Sequence, residues 1–361
     1  MRGDLHNILF RYTNILFVFV IAGFVVYYTD QSPSVVFAIN LLAIFPSSIL
    51  MGIGLKCMRV RYNGLVQAVL YMTFGNIVTL ITSIILLRKR QIRLLQVSLI
   101  GGILSNMHLM LGLGFFAGGI RAQERAYSEN MASIFGSLLT LSVAGLVLPT
   151  ASQLLATPVA GGIVKQSRAI AIVFIFVYIG LLLLQFRTHY ALFAEVEYQD
   201  EDRMEEISHH QLQISSAVAV MVLAGTFIGF NTYFAVDSLE GLLNTTSLTT
   251  SFVGIVLLPL FTNDPEPIES AYNGDMDLCL QTTVGKCIQT TMFVIPLVVI
   301  IAWGMHIDEM TLQFNGFDVT ALFASSLYIT FLTNNGKSNW FEGVALLGMF
   351  VIIAISAYYI E

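Results

Sequence analysis

Apolar runs of about 20 residues, the length of a transmembrane α-helix, alternate with short polar turns along almost the whole chain. Such runs are too long for the strands of a membrane β-barrel, so the pattern predicts an all-α polytopic membrane protein. With each run counted once, it predicts about eleven transmembrane helices. The predicted spans are residues 13–28, 34–54, 64–87, 95–119, 131–152, 168–187, 213–235, 245–271, 279–304, 316–334 and 339–360.

One long hydrophilic stretch, residues 191–212, divides this series of spans and carries seven Asp and Glu side chains. We expect it to be an acidic cytosolic linker or, alternatively, a regulatory cation-binding segment beside the pore. It separates a first repeat at residues 34–190 from a second at 213–361, and residues 1–33 form an N-terminal span and turn. Five spans in each repeat place the second copy upside down relative to the first, an arrangement typical of secondary transporters.

The composition agrees with a membrane protein and argues against other classes. Hydrophobic residues make up 56% of the chain and charged residues 11%, whereas a soluble protein has about 25% charged residues. The net charge of −6 does not point to nucleic acid as a partner, because the basic residues lie mostly in short turns. The three cysteines have no metal-ligand spacing. Since no catalytic triad, phosphate loop or nucleotide fingerprint occurs, we expect neither an enzyme nor a bound cofactor.

The orientation of the chain is predicted from its first span and its loop charges. The first apolar run lacks a small-residue cleavage site, so it is expected to be a retained span rather than a signal peptide. Lys and Arg are more frequent in the loops on the N-terminal side, although residues 88–93 oppose this bias. The distribution predicts a cytosolic N-terminus and, after eleven spans, a luminal Glu361.

Polar residues occur inside several of these apolar runs, where they are costly unless they pair, line a water-filled cavity or hold an ion. The first half supplies neutral oxygens from Asn76, Thr79, Ser105 and Asn106. The second half supplies amide and carboxylate oxygens from Asn263, Asp264, Glu266, Glu269 and Gln289. Hard divalent cations prefer oxygen ligands of this kind, so the pattern predicts an ion-binding site.

Glu266 is the strongest candidate, because a carboxylate within a membrane span is a functional residue by default. Pro265 and Pro267 on either side lack backbone N–H groups and are expected to interrupt the helix. Asn76 and Asn263 are the further metal ligands that we expect. For Asn76 or Ser105 taken alone, an interhelical hydrogen bond is the alternative.

Several segments resemble one known family from nearly one end of the chain to the other. Residues 74–81 (FGNIVTLI) resemble a first family repeat usually written FGNATELI, and residues 96–106 (QVSLIGGILSN) resemble QASLLGSILSN. Residues 257–267 (LLPLFTNDPEP) lie over the second repeat, usually LLPIVGNAAEH. The chain resembles the calcium/proton exchangers of the cation/calcium antiporter superfamily. The resemblance implies ten exchanger helices in two inverted repeats and exchange of Ca²⁺ for H⁺ across an internal membrane such as the vacuole.

This chain differs from the family at residues that the resemblance implicates in ion binding. The resemblance implies an essential glutamate in each repeat, but the first is Thr79 here and only the second, Glu266, remains. Lys286 stands where the family has a small serine, and His108 where it has an aliphatic residue. The possible modulators of the site are Asp264, Glu269, Lys286 and His108.

Lys286 leaves two interpretations open. Its side chain can reach a nearby helix end, or its ammonium can occupy the place of the cation and pair with Glu266 or Asp264. The preferred function is Ca²⁺/H⁺ antiport. The alternatives are a transport-deficient relative that acts as a regulatory or structural partner, and an exchanger with altered ion selectivity.

Overall fold

The computed structural model describes residues 13–29, 31–59, 74–155, 161–188 and 213–360. The acidic stretch at 191–212 and the first part of the predicted span 64–87 lie outside these residues. The described residues are mostly helical, which confirms the predicted helical membrane class. In order along the chain, the helices are α1 (Thr13–Tyr28), α2 (Pro33–Arg59), α3 (Ile77–Arg88), α4 (Ile92–Arg121), α5 (Glu129–Leu155), α6 (Gly162–Leu183), α7 (Ile214–Asp237), α8 (Leu239–Thr245), α9 (Thr250–Thr262), α10 (Glu266–Tyr272), α11 (Met276–Gly304), α12 (Gly316–Leu332) and α13 (Trp340–Tyr358).

In the described part of the chain, eight helices are long and apolar enough to cross a membrane. Three shorter apolar helices cover Phe17–Tyr28, Ile77–Arg88 and Thr250–Thr262. The predicted span 245–271 is interrupted at its prolines, as expected, because the helix stops at Thr262 and a new one starts at Glu266. The prolines explain the break, since neither Pro265 nor Pro267 can donate a backbone hydrogen bond.

The described residues form two compact units. The first contains α1, α2, α3, α7, α8 and the chain that follows α8 up to Thr250, together with residues 260–264. Its core is built by α2 and α7 around Met51, Leu55, Met221 and Ile228, which are all buried. Hydrophobic residues of α3 pack against this cluster.

The second unit is built on α4, α5, α6, α10, α11, α12 and α13, with residues 251–259 of α9. Its α4 is the most buried of the eight candidate spans, with 78% of its apolar window inside the protein. A glycine is needed at position 101, because a Cβ there would collide with the backbone of Gly254 and Ile255. Close backbone approach of this kind is typical of helix packing in membranes.

Two short strands close one end of the second unit. β1 (Arg125–Ala126) pairs antiparallel with β2 (Lys337–Ser338). The Tyr127 hydroxyl donates to the carbonyls of Lys337 at 3.0 Å and Thr333 at 3.4 Å. Burial raises the pKa of this phenol, and nearby Glu342 and Asp277 raise it further, so Tyr127 keeps its proton and remains a donor. We call this arrangement the 125–338 clasp.

Candidate ion-binding residues

Asn76 and Thr79 lie together at the start of α3, in the first unit. Asn76 directly precedes the helix and is buried, with 3% of its surface exposed. The Thr79 hydroxyl donates to Asn76 Oδ1 at 3.2 Å, and the Leu80 N–H donates to the Asn76 backbone carbonyl at 3.0 Å. Thr79 therefore hydrogen-bonds to Asn76 Oδ1, one of the oxygens that the sequence predicts as an ion ligand.

Asn263 and Asp264 follow the end of α9 and also belong to the first unit. Asn263 is buried and Asp264 is partly buried. A Cβ added to Gly52 of α2 would lie 2.8 Å from Asp264 Oδ2, closer than carbon and oxygen can pack. The glycine thus makes room for this carboxylate against α2.

Glu266 and Glu269 lie on α10, in the second unit, three residues apart. This spacing puts them on neighbouring positions of one helix surface. Glu266 is partly buried, whereas Glu269 is exposed. The two carboxylates therefore have different surroundings, and Glu266 is the less accessible of the pair.

Ser105, Asn106 and His108 lie in a π-helical turn, Ser105–Met110, that interrupts α4. All three side chains are buried, and π-helical turns inside α-helices are frequent at functional sites. Asn106 donates to the Gly102 carbonyl at 2.8 Å, and His108 Nε2 lies 2.7 Å from the Ser325 hydroxyl of α12. His108 is thus tied to a neighbouring helix.

Lys286 and Gln289 lie between two further π-helical turns of α11, Gln281–Gly285 and Thr290–Val294. Gln289 is buried and Lys286 is partly buried. Lys286 is the eleventh of the 29 residues of this helix. The idea that it lies beside a helix end is therefore wrong, because about ten residues, or 15 Å of helix, precede it.

The predicted site residues are thus divided between the units. Asn76, Thr79, Asn263 and Asp264 lie in the first, whereas the second contains Ser105, Asn106, His108, Glu266, Glu269, Lys286 and Gln289. Among the described residues, no three His, Cys, Asp or Glu side chains are grouped closely enough to hold a metal ion. A Ca²⁺ site built from these residues therefore needs neutral oxygens as well as carboxylates.

Sequence reasoning missed a buried ion pair in the second unit. Asp318, in the first turn of α12, is fully buried, and its Oδ2 accepts from Arg93 Nη1 at 2.9 Å. Arg93 Nη2 also donates to the Ser251 hydroxyl at 3.3 Å. A signal was available, since Asp318 is a carboxylate inside the apolar run 316–334.

A second group of charges joins three helix ends in the first unit. Lys89, just after α3, pairs with Asp237 at the end of α7, and the Tyr27 hydroxyl of α1 donates to the same carboxylate at 2.9 Å. The Lys89 ammonium also lies 3.7 Å from the centre of the Tyr233 ring. Burial alone would lower the pKa of Lys89, but its bonds to Asp237 and Tyr233 outweigh burial and raise it.

Comparison with known proteins gives a consistent result. A family model described as sodium/calcium exchanger protein matches residues 32–187 and 216–359, which is most of the chain. A vacuolar calcium ion transporter of Schizosaccharomyces pombe is 29% identical over 96% of this chain and 85% of its own length. A Ca²⁺/H⁺ antiporter of Aphanothece halophytica is 30% identical over 88% of each protein. The solved structure of native YfkE has the same fold, with a TM-score of 0.81 at 24% identity over 96% of this chain and 100% of its own.

Proposed function

Because the chain belongs to the sodium/calcium exchanger protein family, we propose that it is a secondary antiporter that exchanges Ca²⁺ for H⁺ across an internal membrane such as the vacuole. The observation that carries the proposal is the likeness, over 96% of this chain, to a relative named vacuolar calcium ion transporter. The second relative, named Ca²⁺/H⁺ antiporter, supports the proton as the counter-ion.

Glu266 is the proposed ion- and proton-binding carboxylate. Ca²⁺ and protons compete for the same carboxylate oxygens, so protonation of Glu266 releases the metal and deprotonation reloads the carrier. Its position supports this role, because it begins a helix directly after a break in the membrane-spanning run. The neutral ligands proposed with it are Asn76, Asn263, Thr79, Ser105, Asn106 and Gln289.

The proposed architecture has about eleven spans, with two inverted five-helix repeats after an N-terminal span. The repeats are residues 34–190 and 213–361, joined by the acidic cytosolic linker at 191–212. Two matched features support the repeats. Asn76 and Asn263 each come just before the start of a short helix, and α4 and α11 each contain π-helical turns. In this arrangement the N-terminus is cytosolic and Glu361 is luminal.

A second candidate function is that of a transport-deficient relative acting as a partner of an active exchanger. Two observations favour it. Thr79, which stands where the family resemblance implies a glutamate, donates its hydroxyl to Asn76, and Lys286 brings a positive charge into the middle part of α11. The same observations support an exchanger whose ion selectivity differs from that of its relatives.

The test is Ca²⁺ uptake by proteoliposomes that contain the purified full chain, with and without an imposed proton gradient. We expect gradient-driven uptake, and we expect Glu266→Gln to abolish it, because glutamine keeps the shape and removes the exchangeable proton. The matched control is Glu240→Gln on α8, where the carboxylate is exposed. Undiminished uptake by Glu266→Gln would place the site elsewhere, and no uptake by the wild type would favour the transport-deficient candidate.

A further inference from the structure

Asp318 Oδ1 differs in kind from the other unpartnered buried atoms of the described residues. Seven buried side-chain atoms lack a hydrogen-bond partner, and Oδ1 is the one carboxylate oxygen among them. The remaining six are Asn40 Oδ1, Thr82 Oγ1, His108 Nδ1, the Tyr178 hydroxyl, Asn231 Oδ1 and Thr232 Oγ1. An unpaired acceptor on an ionised group is more costly than one on a neutral group. Some further partner is therefore required at this oxygen.

The surroundings of Asp318 restrict what that partner can be. Arg93 of α4 is the charged side chain that faces it, with Nη1 on Oδ2, and the backbone of Asn315 supplies a further favourable contact. The other helix packed on α12 is α5, whose single charged residue, Glu129, lies beside Gly336 beyond the far end of α12. His108, in the π-helical turn of α4, touches α12 two turns away at Ser325.

These surroundings favour a proton over a metal cation. A metal cation needs several oxygen ligands and would be repelled by the guanidinium of Arg93. A proton needs one lone pair, and Oδ1 offers one while Oδ2 continues to accept from Arg93. The Arg93 side chain is 37% exposed, so its positive charge is not left fully buried when the Asp318 carboxyl becomes neutral.

We propose that Asp318 is a second proton-binding group of this protein and that the proton binds at Oδ1. The step breaks one O–H bond of a hydronium ion, which is left as water, forms one O–H bond at Oδ1 and changes the charge of the carboxyl from −1 to 0. The binding of this proton is independent of the proposed antiport, whereas its use in transport rests on that function.

The Arg93–Asp318 ion pair contacts two segments that carry or adjoin candidate ligands. Arg93 is the second residue of α4, the helix that carries Ser105 and Asn106 in its π-helical turn. Arg93 also holds Ser251, which comes just before the π-helical turn Val253–Leu257 of α9. Neutralising Asp318 removes the charge that balances Arg93 and so loosens the attachment of α12 to both segments.

Infrared difference spectroscopy of the purified full chain between alkaline and acidic solution tests the binding step directly. We expect a protonated-carboxyl band in the wild type that is lost in Asp318→Asn and kept in Asp308→Asn. Asp308 is a matched control, because it also pairs with an arginine, Arg168, but is 69% exposed. If Asp318→Asn alone does not fold, Arg93→Gln with Asp318→Asn keeps a polar pair without charge and serves in its place. A band that is unchanged without the Asp318 carboxylate overturns the proposal.

Proton and Ca²⁺ fluxes measured together in proteoliposomes test the use of this proton. We expect Asp318→Asn to move about one proton fewer per Ca²⁺ and to have a flatter dependence of uptake on pH, because one titrating group is gone. Asp318→Glu should restore both. An unchanged proton-to-calcium ratio in Asp318→Asn overturns the role in transport. Failure of the proposed antiport itself is recognised separately, as absent Ca²⁺ uptake by the wild type.

Discussion

The packing of α10 against α4 predicts that one added methyl group will disturb the helix that carries Glu266. A Cβ on Gly114 would lie 2.6 Å from Cys279 Sγ, 3.3 Å from the Pro267 carbonyl and 3.6 Å from Ala271 Cβ. Two of these three neighbours belong to α10. Gly114→Ala therefore forces the Cys279 thiol of α11 to rotate, and it also presses on α10 at the Pro267 carbonyl.

The size of the effect follows from two opposing contributions. Overpacking of this kind costs about 1–3 kcal/mol, whereas replacing a glycine inside a helix by alanine gains at most about 1 kcal/mol. The sum is a net loss of stability of up to about 3 kcal/mol. Gly348→Ala in α13 is the matched control, because its Cβ would meet nothing within 4 Å, and it should be neutral or stabilising.

The assay combines thermal unfolding of the purified variants in detergent with Ca²⁺ uptake in proteoliposomes. Gly114→Ala should lower both the Tm and the uptake. Cys279→Ala in the same chain should restore much of each, because it removes the sulfur that collides with the new methyl group. The two changes should be coupled by about 1 kcal/mol or more. Strictly additive effects would show that the new methyl group does not press on Cys279, and the reasoning would be refuted.

Two further predictions concern the charges of the predicted site and of the first unit. Restoring the family pattern with Thr79→Glu and Lys286→Ser should raise Ca²⁺/H⁺ exchange above the wild type, and reduced exchange would indicate an asymmetric site tuned to its present residues. Lys89→Met should lower the free energy of unfolding by at most about 1 kcal/mol, because its pair with Asp237 is partly exposed. Thermal unfolding measures this loss, and Arg168→Met, which removes another partly exposed ion pair, is the variant for comparison. Since the pKa of Lys89 is raised, this contribution should persist through neutral pH and disappear in alkaline solution, where Lys89 loses its proton, and in acid strong enough to protonate its partner Asp237; a loss around neutral pH would contradict it.

The helices could be predicted from the sequence because the length of an apolar run and the positions of prolines are local properties. The predicted spans 279–304 and 316–334 agree closely with α11 and α12. The break inside the predicted span 245–271 could also be predicted, because Pro265 and Pro267 lack backbone N–H groups. Glu266 could be identified as a candidate because a carboxylate in an apolar run is visible without any knowledge of its neighbours.

The remaining features depend on contacts that are distant in sequence. Arg93 and Asp318 are 225 residues apart, and no sequence pattern around either residue indicates that the two form an ion pair. The π-helical turns are equally hidden, because one extra residue in a turn hardly changes an apolar pattern that has few polar positions to mark its period. Whether Lys286 lies in the middle of a helix could be decided only once the start of α11 was known.

The 125–338 clasp has a consequence for how the protein is made. Tyr127 leaves the ribosome 210 residues before Lys337, whose carbonyl it binds. At about 5–20 residues per second, the loop that carries Tyr127 waits about 10–40 s for its partner strand. During this time the four preceding helices that the structure describes, α1 to α4, are already synthesised while this end of the second unit is still open. The loop at residues 122–128 should therefore be cut by added protease in chains halted before residue 337 and be protected in full-length ones.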